Sequence, residues 1–262
     1  MISFAAFVPH SPVLIPEVGK ENIDKLKDTI ESLKHLENDL YSVKPDVLLV
    51  ISPHANKKGG DFFTINQYPN LTVNFKDFGD LVTKIDFGNE IGFGYKIKES
   101  CEEFFPLILT ADRDLDYGSS VPLFYLAQHL PGVKIVSVGY SSLSYEDHIK
   151  FGEIIRRQIN LSDKRIAVIA SGDLSHRLHQ DSPAGYSPRA QEFDQTLIKL
   201  LEEKDISGVI HIDPELIQEA GECGLRSLII LLGIIKELNY QPEKLSYEAP
   251  FGIGYLVEHF KF

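Results

Sequence analysis

The segment PDVLLVISPH, residues 45–54, decides the fold class of this 262-residue chain. Its centre, Val47 to Ile51, is apolar at every position and shows no alternation with polar residues. Such a run is typical of a strand buried on both faces, as in a parallel sheet that helices cover. Pro53 and His54 follow directly, so the segment also predicts a histidine at the carboxyl end of a central strand.

Strand-like and helix-like segments alternate on both sides of this run. Residues 21–41, for example, carry leucine and isoleucine at steps of three and four, which is a helix period. The predicted strands are residues 2–8, 46–52, 61–67, 71–75, 106–110, 133–138, 165–170, 243–248 and 254–259, and the predicted helices are residues 21–41, 121–130, 145–159, 189–202 and 225–238. Residues 61–67 and 71–75 are expected to form a hairpin through Pro69-Asn70. The alternation predicts an α/β fold with a central mixed, partly parallel sheet and helices on both faces. No linker-like composition interrupts it, so we expect a single domain over residues 1–262.

Charge and composition exclude several classes of function. The net charge is −12, and no segregated basic patch offsets it, so binding to nucleic acid is not expected. No apolar run reaches the ~18 residues of a membrane span, and the amino terminus does not resemble a signal peptide. The two cysteines, Cys101 and Cys223, are far apart in sequence, which favours a cytoplasmic location over a disulfide-bonded one.

Two histidines occur in nearly repeated contexts. The segment VPHSP, residues 8–12, follows the first predicted strand, and SPH, residues 52–54, follows the central one. A proline fixes the backbone immediately before each imidazole. Because strand ends meet at one edge of such a sheet, we expect His10 and His54 to converge on one metal ion.

Two further polar segments follow apolar runs or open a helix. ASGDLSH, residues 170–176, offers the Asp173 carboxylate and the His176 imidazole, although Asp173 has a simpler interpretation as a turn cap. GECGLR, residues 221–226, offers Glu222 and Cys223, which equally fit a helix-start acid and a small buried residue. Two histidines with one carboxylate suit a non-heme Fe(II) oxygenase, and they also suit a catalytic zinc site.

Five motifs in this order carry a resemblance to a known family. The chain resembles the LigB-like catalytic subunits of class III extradiol ring-cleavage dioxygenases over nearly its whole length. The motifs are VPHSP (residues 8–12), SPH (52–54), LDYGSSVPL (115–123), SGDLSH (171–176) and GECGLR (221–226). The nearest branch is the Memo and radical-SAM associated one, to which the segment SYEAPFGIGY, residues 246–255, is also similar.

The resemblance implies a LigB-like fold, a mechanism and a set of site residues. It implies that His10 and His54 hold Fe(II), with Glu222 as the natural carboxylate ligand. It also implies that His176 acts as acid and base while a catechol-like ring is opened with O2. Asp173 lies in the same motif and joins the candidate catalytic residues.

Two departures from the family pattern keep alternatives open. Tyr117 stands where the family often has histidine, and a phenol donates a hydrogen bond but is a poor proton shuttle at neutral pH. Cys223 adjoins Glu222, and a thiolate ligand favours zinc or copper(I) over iron. The alternatives are a Memo-like metal-binding or partner-binding protein and a zinc-dependent hydrolase. A homo-oligomer or a partner subunit is compatible with each of them.

Overall fold

A computed structural model describes all 262 residues of the chain. The strands are β1 (Ile2–Val8), β2 (Val47–Ser52), β3 (Phe63–Asn66), β4 (Asn70–Phe75), β5 (Asp80–Asn89), β6 (Leu107–Thr110), β7 (Lys134–Gly139), β8 (Ile166–Ser171), β9 (Gln241–Glu248) and β10 (Tyr255–Lys261). The helices are α1 (Pro16–Gly19), α2 (Lys27–Val43), α3 (Ile91–Cys101), α4 (Tyr117–Leu126), α5 (Tyr145–Asn160), α6 (Ala190–Glu202), α7 (Ile206–Ile210), α8 (Pro214–Ala220) and α9 (Leu225–Ile235). Short 3-10 segments cover Pro12–Leu14, Lys20–Leu26 and Lys76–Phe78.

All ten strands belong to one mixed sheet. The main path runs β4-β5-β7-β2-β8-β1-β10-β9, and β3 joins β6 to β7 beside it. Strands β5, β7, β2, β8 and β1 are parallel to their neighbours in the centre, whereas β10 and β9 are antiparallel additions at one side. The predicted α/β class with a mixed, partly parallel sheet is therefore confirmed.

Helices cover both faces of this sheet. Alternate side chains of each central strand pack into two separate hydrophobic clusters, one on each face. In β2, Leu48 and Val50 join the cluster under α2 and α4, whereas Leu49 and Ile51 join the cluster under α3, α5, α6 and α9. Both sets of side chains are fully buried, which explains why the strand reads as a continuous apolar run. No helix combines the length and the apolar character that crossing a membrane requires.

The predicted hairpin between residues 61–67 and 71–75 is wrong. Strand β3 pairs with β6 and β7, and β4 pairs instead with β5. The sequence interpretation did not identify β5 or α3. Strand β5 is half exposed, with Leu81 and Val82 on its solvent side, and α3 begins in the glycine-rich segment at residues 91–94. Tertiary packing overrides weak local preference in both elements.

The parallel centre brings three strand ends to one edge of the sheet. Strand β8 lies between β2 and β1 and is parallel to both. The register pairs Val8 with Ser171 and Ile51 with Ala170, so the three strands end at nearly the same level. The residues that follow each strand must therefore meet above the sheet, which is where sites of α/β proteins gather.

Candidate metal centre

Three side chains from three different loops meet at this edge. The Nε2 atoms of His10 and His54 are 3.2 Å apart, and Cys223 Sγ lies 3.5 Å from His10 Nε2. The three potential ligand atoms all lie within 4.8 Å of one another. Two imidazoles and a thiol that converge in this way can share one metal ion.

The orientation of His10 is set by a short hydrogen-bonded chain. The Ser171 hydroxyl donates to the carbonyl of Gly118 at 2.5 Å and therefore accepts from His10 Nδ1–H at 3.0 Å. This arrangement puts the ring proton on Nδ1 and leaves the Nε2 lone pair facing His54 and Cys223. Outer partners of this kind fix the tautomer of a metal-ligating histidine.

Cys223 reaches the centre because two glycines let two loops touch. A Cβ atom on Gly172 would lie 2.1 Å from the Cα atom of Gly224. The contact allows the amides of Cys223 and Gly224 to donate to the carbonyl of Asp173 at 3.3 and 3.1 Å. The Asp173 amide donates in turn to the Cys223 sulfur at 3.4 Å. A larger residue at either glycine would push the thiol away from His10.

Glu222, the other alternative for the third ligand, lies outside the group of three donors. Its Oε2 atom accepts a hydrogen bond from the Leu225 amide at 2.6 Å, so the carboxylate caps the start of α9. Burial raises the pKa of Glu222 to about 7. Asp173 is the carboxylate beside His10: its Oδ1 atom accepts from the His10 amide at 3.0 Å, and its Oδ2 atom is 3.9 Å from His10 Nε2.

The protonation states of the donors follow from burial. Burial lowers the pKa of His10 to about 3 and that of His54 to about 4, so both rings are neutral at pH 7 and can act as ligands. Burial, reinforced by the Asp173 charge, raises the pKa of the Cys223 thiol well above its ordinary value. Burial also raises the pKa of Asp173 to about 6.

Of the candidate catalytic residues, Tyr117 contacts the centre directly, and His176 belongs to the loop that follows β8. The Tyr117 ring stacks on His54 with centroids 4.2 Å apart, and burial raises the pKa of its phenol, which stays protonated. The His176 amide donates to the Ala220 carbonyl, whereas its Nδ1 atom is buried without a hydrogen-bond partner. His176 lies three residues after Asp173, whose carboxylate accepts a hydrogen bond from the His10 amide.

A cavity of about 480 Å³ opens beside the donors. His54 and Tyr117 form one part of its wall, and Phe78, on the turn between β4 and β5, forms another. The Phe78 ring meets Tyr117 edge to face with centroids 5.3 Å apart. The volume falls within the usual range for small-molecule pockets.

Ser171 and Asp116 lie inside the sequence motifs but had no predicted role. Ser171 orients His10, and Asp116 accepts a hydrogen bond from Ser52, whose hydroxyl accepts in turn from the His54 amide. A polar residue that ends a fully buried strand is a signal that could have identified both Ser52 and Ser171. Phe78 gave no sequence signal, because it lies between the predicted strand at residues 71–75 and β5, which was not predicted.

Comparison with known proteins gives a consistent family match. Residues 4–258 match the family described as the catalytic LigB subunit of aromatic ring-opening dioxygenase. The chain is 32% identical to 3,4-dihydroxyphenylacetate 2,3-dioxygenase of Escherichia coli, covering 89% of this chain and 90% of that enzyme. It is 26% identical to the beta subunit of 2-aminophenol 1,6-dioxygenase of a Pseudomonas species, covering 81% and 78% of the two chains.

Two further similarities concern proteins whose names give no activity. The chain is 31% identical to Protein CA_C1420 of Clostridium acetobutylicum over 95% of its own length, but it spans only 55% of that longer protein. A crystal structure of the uncharacterized protein JW3007 from Escherichia coli K12 superposes with a TM-score of 0.69 at 16% identity, covering 99% of this chain and 100% of the other. That likeness shows a shared fold.

Proposed function

Because this chain belongs to the family of catalytic LigB subunits of aromatic ring-opening dioxygenases, we propose that it is an Fe(II)-dependent extradiol-type dioxygenase. The proposed reaction joins both atoms of O2 to a catechol-like substrate and opens its ring beside one hydroxyl. The relative from Escherichia coli is named for 3,4-dihydroxyphenylacetate, and substituted catechols are the substrate class that we propose.

The convergence of the His10 and His54 rings, with their Nε2 atoms 3.2 Å apart, is the observation that carries this proposal. The donor set suits a transition metal because both rings are neutral and the His10 tautomer leaves Nε2 free. His10 and His54 would hold the ion, and Cys223 would be the third ligand. Bound iron would supply the redox-active centre through which an aromatic diol reacts with O2.

The neighbouring residues have separate proposed roles. His176 would take a proton from a substrate hydroxyl and return it later, because its Nδ1 atom has no partner within the protein. Tyr117 would donate a hydrogen bond, since its raised pKa keeps the phenol protonated. Asp173 would hold the His10 backbone in place through the 3.0 Å hydrogen bond to its amide. The 480 Å³ cavity whose wall includes His54, Tyr117 and Phe78 would receive the aromatic ring.

A His176→Ala variant tests this function, with His179→Ala as the matched control. Both proteins are loaded with Fe(II) without oxygen, and O2 uptake is then measured with a panel of substituted catechols. We expect turnover to fall about 100-fold or more in His176→Ala while its iron content stays unchanged. The exposed His179, three residues further along, should be replaceable without effect. Iron-loaded wild-type protein that consumes no O2 with any catechol would refute the proposal.

The position of Cys223 favours a second candidate. A thiolate ligand suits zinc or copper(I) better than iron, so the chain could be a metal-binding protein without ring-cleavage activity, or a zinc-dependent hydrolase. Elemental analysis of freshly isolated protein separates the candidates. Zinc or copper in place of iron, together with absent O2 uptake, would favour the second one.

We further propose that residues 1–262 form one catalytic-type domain, because both hydrophobic clusters pack on the same sheet. A cytoplasmic location is proposed from the two free cysteines. The proposed partners are a small aromatic substrate and O2. A second copy of the chain or a partner subunit is also proposed, since the Pseudomonas relative is named as a subunit.

A further inference from the structure

A second cavity adjoins the segments that carry the metal ligands. It has a volume of about 320 Å³, and its wall includes Pro53, Asn56, Tyr140 and Arg226. Pro53 precedes His54 directly, and Arg226 follows Cys223 by three residues. The Tyr140 hydroxyl donates to the Cys223 carbonyl at 3.4 Å, which links the wall of this cavity to the metal centre.

Arg226 is the only charged residue in the wall of this cavity. The other wall residues are neutral: Pro53, Asn56, Gly59, Gly60, Tyr140, Ser141 and Ser142. No carboxylate lies within 4.0 Å of the Arg226 guanidinium, whereas Arg165 and Arg189 each have such a partner. In a chain with a net charge of −12, a cation in a concave site without a carboxylate in direct contact is unusual.

The surroundings hold the Arg226 guanidinium in place. It lies over the Tyr145 ring, with its central carbon 4.9 Å from the centroid, and its Nε atom is buried without a hydrogen-bond partner. Stacking of this kind orients the planar donors. Two carboxylates in this region have other partners: Glu222 accepts a hydrogen bond from the Leu225 amide, and Asp61 accepts one from the wall residue Ser142.

We propose that the Arg226 cavity is a binding site for a small carboxylate, whose oxygens accept hydrogen bonds from the guanidinium. Planar, bidentate recognition of a carboxylate is the interaction for which arginine is best shaped. The volume suits a ligand of few atoms and excludes a macromolecule. The carboxylate belongs either to the aromatic substrate, which rests on the proposed function, or to a separate small anion.

Binding of phenylacetate to the full-length protein, measured by titration calorimetry at low ionic strength, tests the site. We expect Arg226→Gln to weaken binding about 10- to 100-fold, the usual loss when a charge-assisted hydrogen bond is removed. Arg226→Lys should retain part of the affinity. Arg157→Gln removes an exposed arginine of α5 and is the control, with no expected change.

A second variant tests the site without altering Arg226. Ser142→Asp places a negative charge at an exposed position of the cavity wall, and it should weaken phenylacetate binding more than Ser142→Ala, which removes the hydrogen bond to Asp61 without adding a charge. Equal affinity in the wild-type protein, Arg226→Gln and Ser142→Asp would overturn the proposal. So would the absence of phenylacetate binding to wild-type protein.

A competition experiment distinguishes the two sources of the carboxylate. Phenylacetate should compete with 3,4-dihydroxyphenylacetate and with uncharged 4-methylcatechol if the cavity receives the carboxylate of the substrate. In that case Arg226→Gln lowers kcat/KM for the charged catechol about 10-fold or more relative to kcat/KM for the uncharged one. Phenylacetate that binds without competing identifies a separate anion site. The calorimetry stays interpretable even if no catechol is turned over.

Discussion

Replacing Ser171 with alanine should weaken metal binding without unfolding the protein. The Ser171 hydroxyl makes two hydrogen bonds in the buried strand end, one with His10 Nδ1 at 3.0 Å and one with the Gly118 carbonyl at 2.5 Å. Without this acceptor, the His10 proton can move to Nε2, where it blocks the lone pair that faces the other ligands. The ring also loses the contact that fixes its orientation.

The two hydrogen bonds predict two separate magnitudes. Removing the outer partner of a metal-ligating histidine costs about 10- to 100-fold in metal affinity. That range corresponds to ~1.4 to 2.7 kcal/mol of binding free energy. The Gly118 carbonyl also loses its donor inside the protein, which should lower the free energy of unfolding of the metal-free form by ~1 to 3 kcal/mol.

Competition titrations with a chromophoric chelator measure the affinity, using Zn(II) in air and Fe(II) without oxygen. Thermal or urea unfolding of the metal-free protein measures the second effect. Ser227→Ala is the control, because Ser227 is a fully buried serine of α9 whose hydroxyl has no hydrogen-bond partner. A Ser171→Ala protein that binds both metals as tightly as wild type would refute the proposed role of Ser171 in orienting His10 for metal binding.

Three other changes have defined outcomes. Glu258 is buried, neither of its carboxyl oxygens has a partner, and burial raises its pKa from 4.5 to about 8. The contribution of Glu258 to the free energy of unfolding should therefore be fully present below pH 4.5 and be lost as the pH rises through 8, by up to ~5 kcal/mol. Urea unfolding of Glu258→Gln should show no such loss. Metal binding should release about one proton from the Cys223 thiol, because its raised pKa keeps it protonated in the metal-free protein. Calorimetry in two buffers should detect this release in wild type and Glu222→Gln but not in Cys223→Ser. Tyr117→Phe keeps the ring that stacks on His54 and should lower kcat for ring opening about 10-fold with unchanged metal content, measured by O2 uptake and elemental analysis.

Local patterns in the sequence were sufficient to predict the centre of the fold. The apolar runs of β1, β2 and β8 each predict a buried strand, and each is followed within a few residues by a polar side chain of the centre. Parallel strands present their carboxyl ends at one edge, so His10 and His54 could be expected near each other before any coordinates existed. The strand-end position also made His176 a candidate, and the family resemblance implied its role as acid and base.

Strand partners beyond the centre could not be predicted in this way. The hairpin predicted around residues 69–70 is absent, because β3 finds partners in β6 and β7, which lie 40 to 75 residues further along the chain. Strand β5 and helix α3 form against weak local patterns. Pairing between distant segments depends on side-chain packing across the whole sheet, which a local period does not encode.

The sequence by itself determined the candidate donors: two histidines at strand ends, with an acid and a thiol as adjacent alternatives at residues 222 and 223. Only the tertiary structure decided which of these two side chains faces the imidazoles. The contact between Gly172 and Gly224 turns the thiol toward His10, while the acid caps α9. The direction in which each of two neighbouring side chains points depends on the path of the backbone. Here that path is set by a contact between loops about 50 residues apart in sequence.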